Sequence, residues 1–259
     1  MVLKKMIDLH SHILPAFDDG SKSEEESLLM LRAAIQDGIR TIVATPHYNH
    51  RYTSDKSKIL TEIGKLKQLI RANDLEIEVL PGQEVRVYGE LLADYEAGKL
   101  LKIAEYSHYM LVEFSSQHVP HYTERLLYDM ALSGIKPIIA HPERNLEIIK
   151  NPEKLYNLVA KGALTQLTAS SLTGYFGKDV QKFSKKLIAS NLVHVIATDA
   201  HNTTDRSFNM SQAYDIIAKE HGMSYVSYFK KNAGLIIADQ AVYGEQPILV
   251  DRKKFFGFL

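Results

Sequence analysis

The sequence predicts an α/β fold in which parallel strands are covered by helices, and three observations predict it. Short apolar runs alternate with longer helical patterns from one end of the chain to the other. Seven of those runs are apolar throughout, as strands buried on both faces must be. The length of 259 residues, 45% apolar and 24% charged, is that of an α/β barrel, about 250 residues. It excludes disordered, collagen-like and low-complexity chains. No linker, internal repeat or low-complexity block interrupts the pattern, so residues 1–259 read as a single domain.

The elements follow in order. Residues 6–10 read as the first strand. Ser23-Glu-Glu-Glu26 is a capping box in which Ser23 and Glu26 satisfy each other's backbone donors. It opens a helix carrying Leu28, Leu29, Leu31, Ala34 and Ile35, which Gly38 closes in a left-handed turn. Strand 41–45, helix 56–72 and strand 77–80 come next, then a short helix at 91–96 and strand 109–112. Helix 123–132 ends at Gly134 and leads into strand 137–140. The second half continues with helix 153–161, strand 163–167, helix 180–190, strand 193–197 and helix 210–220. A short amphipathic piece and a tail, 251–259, complete the chain.

Composition narrows the chemistry. The chain has no cysteine, which removes disulfide frameworks, zinc fingers, iron–sulfur clusters and thiolate nucleophiles together. Lys+Arg and Asp+Glu each total 31, and a balanced charge argues against a protein that lives on nucleic-acid phosphates. Neither a signal peptide nor an apolar span of membrane length is evident, so the expectation is a cytoplasmic protein without stable membrane insertion. Oligomeric state is not legible.

The strand ends carry the site. The first strand ends in His10-Ser-His12, the second in Pro46-His47, and the third leads through Pro-Gly-Gln to Glu84. The fourth ends in Glu113, the fifth in His141, and the seventh in Asp199-Ala-His201. Six of seven strands thus finish in a metal-binding group. Residues two apart on a strand share a face, so His10 points with His12 and Asp199 with His201. In a parallel barrel all the strand C-termini open on one side. Imidazoles and carboxylates without thiolates favour Mn, Fe, Co or Zn, and there are enough of them for two or three ions. Asp18-Asp19-Gly20 adds carboxylates beyond the first strand, with Gly20 permitting a tight turn. Arg144 and Arg206 stand beside these candidates, and a guanidinium makes paired hydrogen bonds to phosphate oxygens, so an oxyanion is the natural guest.

At these residues the sequence resembles the PHP (polymerase and histidinol phosphatase) superfamily, and more closely the bacterial manganese-dependent protein-tyrosine phosphatases of capsular and exopolysaccharide regulation. The matching stretches are Ile7-Asp-Leu-His-Ser-His-Ile-Leu-Pro, Asp18-Asp-Gly, Ala44-Thr-Pro-His, Pro81-Gly-Gln-Glu, Leu111-Val-Glu-Phe, Ala140-His-Pro-Glu-Arg-Asn and Ala197-Thr-Asp-Ala-His-Asn. The resemblance implies a distorted seven-stranded TIM-like barrel with a cluster of Mn²⁺ ions at the strand C-terminal ends. Its implied ligands are His10, His12, Asp19, His47, Glu84, Glu113, His141, Asp199 and His201. Asp19 is chosen over Asp18 by the family pattern alone, since spacing does not separate them. Arg144, Arg206 and His47 take the implied catalytic roles. The implied reaction is direct hydrolysis, with a metal-bridging hydroxide attacking phosphorus, and the implied partner is a tyrosine-phosphorylated protein, a bacterial tyrosine autokinase. Other readings are a histidinol-phosphate or other small-phosphomonoester phosphatase, a nuclease, or a non-catalytic phosphotyrosine-binding module.

Bland roles are expected elsewhere. His50, His108, His118, His121, His194 and His221 read as structural. Tyr48, Tyr175 and Phe176 read first as packing, with stacking on a substrate ring as the alternative. Asp8 either orients a ligand or makes ordinary structural hydrogen bonds. The Lys-rich stretch 56–67 reads as a solvated helix face, and the tail as docked on its own domain.

Overall fold

The computed structural model describes residues 6–242 and 244–250; the expectation for the tail falls outside them. The chain order is β1 (Met6–Ser11), α1 (Glu24–Gln36), β2 (Ile39–Ala44), β3 (His47–Tyr48), α2 (Lys56–Ala72), β4 (Glu78–Pro81), β5 (Glu84–Arg86) and α3 (Leu91–Glu96). It continues through β6 (Tyr109–Glu113), α4 (Thr123–Leu132), β7 (Lys136–Ala140), a 3-10 turn (Pro142–Arg144), α5 (Leu146–Lys150), α6 (Glu153–Ala160) and β8 (Leu164–Thr168). Then come α7 (Ala169–Thr173), α8 (Lys178–Ala189), β9 (Val195–Ala197), α9 (Met210–His221) and α10 (Met223–Ile237).

All pairings among these strands are parallel. The α/β class stands, but the ladders draw two sheets, β1-β2-β4 and β3-β5-β6-β7-β8-β9, rather than one closed ring. The second and third strands stand where the sequence places them, as β2 and β4, and each is followed by a further short strand, β3 and β5, that the sequence did not announce. Pro46 has no N–H to offer a ladder. Gly82 packs where a Cβ would lie 2.6 Å from Val43 Cγ1, so the chain bends there. Among the described residues one isolated parallel bridge, Ser11 to Ala200, links the sheets across the β1–β9 gap. Asp199 N–H to His10 O and His12 N–H to Ala200 O, both 2.8 Å, flank it.

The strands are buried on both faces. Leu9, Val43, Leu80, Leu111, Ile138 and Val195 form an inner cluster, while their neighbours Ile42, Val112, Ile139 and Ile196 join the helices in an outer one. Each such side chain contributes about 1.5–3 kcal/mol on burial.

Local signals explain the helix ends. Ser23 Oγ accepts from Glu26 N–H at 3.3 Å, but Glu26 reaches past Ser23 to accept from Lys22 N–H at 2.7 Å, so the capping box is not reciprocal. Gly38 and Gly134 end their helices at φ +93° and +74°. Asp55 caps α2, whose Ile59, Ile63, Leu66 and Ile70 face inward. The piece after α9 is longer than expected: α10 is a 15-residue helix whose Ala233 and Ile236 join the inner cluster. No helix among the described residues is long and apolar enough to cross a membrane.

Candidate metal centre

Strand register brings the candidate groups together. His47 is opposite Glu84 in the β3–β5 pair, and Arg86 is opposite Glu113 in β5–β6. His141 and Asp199 follow β7 and β9 on left-handed backbone, φ +35° and +53°, a conformation that costs L residues about 1 kcal/mol or more. Four overlapping groups of potential ligand atoms result, each within 4.8 Å: His12, Asp19, His47 and His201; His10, Glu84 and His141; His10, His12 and Asp199; His47, Glu84 and Glu113. Among the described residues these groups contain all nine of the sequence-derived ligand candidates and no other residue.

The orientation of each imidazole is held from behind. His10 Nδ1 meets Gln166 Oε1 at 3.0 Å, His12 Nδ1 meets Asp18 Oδ2 at 2.7 Å, and His201 Nδ1 meets Asp199 O at 2.9 Å. These partners are acceptors, so each ring keeps its proton on Nδ1 and turns the Nε2 lone pair into the cluster. His10 Nε2 and His12 Nε2 stand 3.2 Å apart. Glu84 Oε2 lies 2.8 Å from His47 Nδ1, 3.3 Å from His10 Nε2 and 3.4 Å from His12 Nε2. Yet Glu84 Oε2, His47 Nδ1 and His201 Nε2 are buried without hydrogen-bond partners. A concentration of lone pairs this dense repels itself unless cations sit among them. The donor set therefore fits a cluster of divalent ions of the Mn, Fe, Co or Zn type.

The two aspartates divide their work. Asp18 is buried and fully engaged: Oδ2 accepts from His12 Nδ1–H and from His47 N–H (2.9 Å), and Oδ1 accepts from Gly20 N–H (2.9 Å). Burial pushes its carboxyl up, but His12 and these N–H donors outweigh that and hold it below the usual range. Asp19 is half exposed, with Oδ1 3.5 Å from both His47 Nε2 and His201 Nε2.

The field of the cluster favours positive charge. Burial opposes ionisation of Glu84 and Asp199, but His10 and His47 around the one, and Arg144 and His10 around the other, keep both carboxyls well below their ordinary range. Burial likewise disfavours imidazolium at His47, and Glu84 overrides it, carrying the ring to about 10. His201 goes the other way, to about 4, through burial and the nearby His12.

A cleft of about 350 Å³ opens over the cluster, lined among others by Arg86, Glu113, Phe114, His141, Arg144 and Arg206. Arg144 and Arg206 donate to the same oxygen, Asp199 Oδ2, at 2.6 and 3.0 Å. Sequence reasoning missed Arg86, whose Nε and Nη2 both lie 3.0 Å from Glu113 Oε1; its signal was its place two residues after Glu84 on one strand. It also missed Gln166, a polar residue wholly buried in a strand. Asp8 accepts from Thr198 N–H and His10 N–H, so it ties β1 to the end of β9 by ordinary hydrogen bonds rather than orienting a ring. Burial carries its carboxyl up to about 6. Tyr48 packs against the core, and Phe176 covers Arg144. The six remaining histidines stand outside the four groups.

Comparison with known proteins is consistent in direction. A family described as capsular polysaccharide synthesis, CpsB/CapC, matches residues 6–238. The tyrosine-protein phosphatase YwqE of Bacillus subtilis (strain 168) is 44% identical over 254 residues, 98% of this chain and 100% of its own length. The tyrosine-protein phosphatase CpsB of Streptococcus pneumoniae is 32% identical over 244 residues, 92% of this chain and all of its own. A crystal structure from work on YwqE and CpsB, described as unique metal-dependent tyrosine phosphatases, matches with TM-score 0.93 and 44% identity, covering 95% of this chain and 100% of that one. The phosphotriesterase homology protein of Escherichia coli shares the fold alone, with TM-score 0.58 and 10% identity over 92% of this chain and 100% of its own.

Proposed function

The chain belongs to the CpsB/CapC family of capsular polysaccharide synthesis, and from that premise we propose that it is a metal-dependent protein-tyrosine phosphatase. The observation that carries the reading is Glu84 Oε2, buried, without a hydrogen bond, and facing nitrogen atoms of His10, His12 and His47. His10, His12, Asp19, His47, Glu84, Glu113, His141, Asp199 and His201 would hold two or three ions, manganese first among them. Bound there, divalent cations supply an activated water and positive charge against phosphate oxygens.

The chain's own groups do the rest. Asp199 Oδ2 aligns Arg144 and Arg206 side by side, and both line the cleft. Their remaining N–H groups bind phosphoryl oxygens and strengthen their hold as charge gathers in the transition state. His47 lines the same cleft and completes the catalytic set. Tyrosine departs as a phenolate whose conjugate acid has a pKa of about 10, so the leaving group needs less protonation than an alkyl alcohol. Residues 1–259 act as one domain in the cytoplasm, on phosphotyrosine of a tyrosine kinase of polysaccharide synthesis.

The test is metal analysis of the purified protein alongside phosphate release from a tyrosine-phosphorylated peptide. Exhaustive chelation abolishes release, Mn²⁺ restores it, and iodoacetamide leaves it unchanged, since there is no cysteine. Activity that survives complete metal removal refutes the reading; a faster rate on histidinol phosphate than on the peptide reassigns the substrate.

A further inference from the structure

The turn between α7 and α8 contributes none of the candidate ligands, yet it touches the cleft wall. Gly174 and Gly177 have φ of +90° and +93°, a region natural to glycine. Gly177 N–H donates to Gly174 O at 3.0 Å, so Tyr175 and Phe176 occupy the two corners of a closed β-turn. The turn is pinned from behind: Tyr175 N–H donates to Ser170 O at 3.1 Å, and Gln181 Nε2 donates to Leu172 O at 2.7 Å.

What this turn presents is an aromatic face. Arg144 Cζ lies 4.9 Å from the Phe176 ring centroid, and the Tyr175 ring meets Phe176 edge-on at 4.9 Å and 83°. Among the described residues the Arg144 guanidinium has one hydrogen-bond acceptor. Its Nη2 donates to Asp199 Oδ2, an oxygen it shares with Arg206, and its Nε is buried with no hydrogen-bond partner. One shared acceptor fixes a guanidinium at a point but does not by itself set its plane. A ring whose centroid lies 4.9 Å from Cζ supplies the missing restraint, because the cation is attracted to the π surface and the ring takes up the space beside it.

We infer that Phe176 is the positioning residue of Arg144, and that the Gly174–Gly177 turn serves to set the guanidinium plane for a phosphoryl group. The inference rests on the phosphatase reading and goes beyond it, since Phe176 belongs to none of the four ligand groups.

The test compares F176L, which keeps apolar bulk but loses the π face, with F176Y and F176W, which keep it. Each is assayed with Mn²⁺ for hydrolysis of a phosphotyrosyl peptide and for binding of inorganic phosphate by calorimetry. The phosphate Kd of F176L rises about tenfold, the size of a cation–π contact partly removed from water, and kcat/KM falls at least as far. F176Y and F176W stay within about threefold of the parent protein. In an R144A background the F176L change adds nothing, because its route of action is gone. A thermal melt verifies folding, and F176M replaces F176L if that variant unfolds. Equal behaviour of F176L and F176Y, or an undiminished F176L effect on R144A, overturns the inference. A parent protein that is inactive on the peptide sinks the phosphatase reading instead, whereas an active parent matched by F176L sinks only the role of Phe176.

Discussion

Replacing Asp18 by asparagine separates the two adjacent aspartates. Asp18 supplies two oxygens to three donors, His12 Nδ1–H, His47 N–H and Gly20 N–H, inside a region where its side chain is 1% exposed. A carboxamide offers one oxygen. If that oxygen faces the histidines, its NH₂ meets the Gly20 N–H; if it faces Gly20, the NH₂ meets His12 Nδ1–H. Either way a buried donor loses its acceptor, at a cost of about 1–3 kcal/mol. The charge-assisted bond to His12 is lost or weakened as well. The expected loss of stability is about 3 kcal/mol, a fall in Tm on the order of 10 °C for a chain of this size. Because His12 is then free to turn, its Nε2 no longer points reliably into the cluster, and metal affinity falls about 10–100-fold. The assay is competitive metal titration with a fluorescent chelator, alongside thermal melts, on D18N, D19N and the parent. D19N is expected to lose metal affinity with little loss of apo-protein stability, since Asp19 is half exposed. Parent-like metal affinity in D18N would refute the orienting role.

Two further predictions concern the frame around the site. His194 accepts from Thr165 N–H through Nδ1 at 3.1 Å, and burial pulls its pKa down to about 4. Between pH 6.5 and 4 the unfolded chain binds a proton that the folded chain refuses, so stability is full above 6.5 and falls as pH drops. H194N keeps an acceptor without titrating. The urea-unfolding advantage of the parent over H194N at pH 7 should therefore shrink by about 2 kcal/mol at pH 5, and a gap independent of pH would contradict it. A methyl group at Gly20 would lie 2.1 Å from His12 O and 2.4 Å from His12 Cβ. G20A should lose about 3 kcal/mol or more and release metal, read by melt and metal content, and an unchanged melt would disprove the packing argument.

What the sequence disclosed depended on how local the cause was. Strand ends were legible because buried parallel strands are apolar to the last residue, so a histidine or carboxylate there stands out. Helix α1 was legible through Ser23 and Gly38, although the reciprocal bond of Glu26 went to Lys22 instead. Helix α10 was obscured because Tyr225, Val226, Tyr228 and Phe229 have local preferences closer to a strand; the burial of Val226, Phe229, Ala233 and Ile236 along one helical face decides it. The short strands β3 and β5, set off from β2 and β4 at Pro46 and Gly82, arise from geometry that no periodicity carries. The different tasks of Asp18 and Asp19, and the places of Arg86 and Gln166, arise from contacts that mostly join residues far apart in sequence, such as His10 with Gln166 and Asp19 with His201.

The hydrogen bond from Asp199 N–H to His10 O also sets when the centre can exist. Its ligand candidates span residues 10 to 201, and His10 Nε2 comes within 3.3 Å of Asp199 Oδ1 only once β9 is laid beside β1. Closing so long a loop is slow, because its entropy must be lost before any contact rewards it. During synthesis His10 and His12 emerge first and wait for nearly the whole chain. A nascent or clipped polypeptide ending before Asp199 thus lacks two of the four ligand groups and the β1–β9 contact that draws the rest together, so full metal capture reports a finished fold.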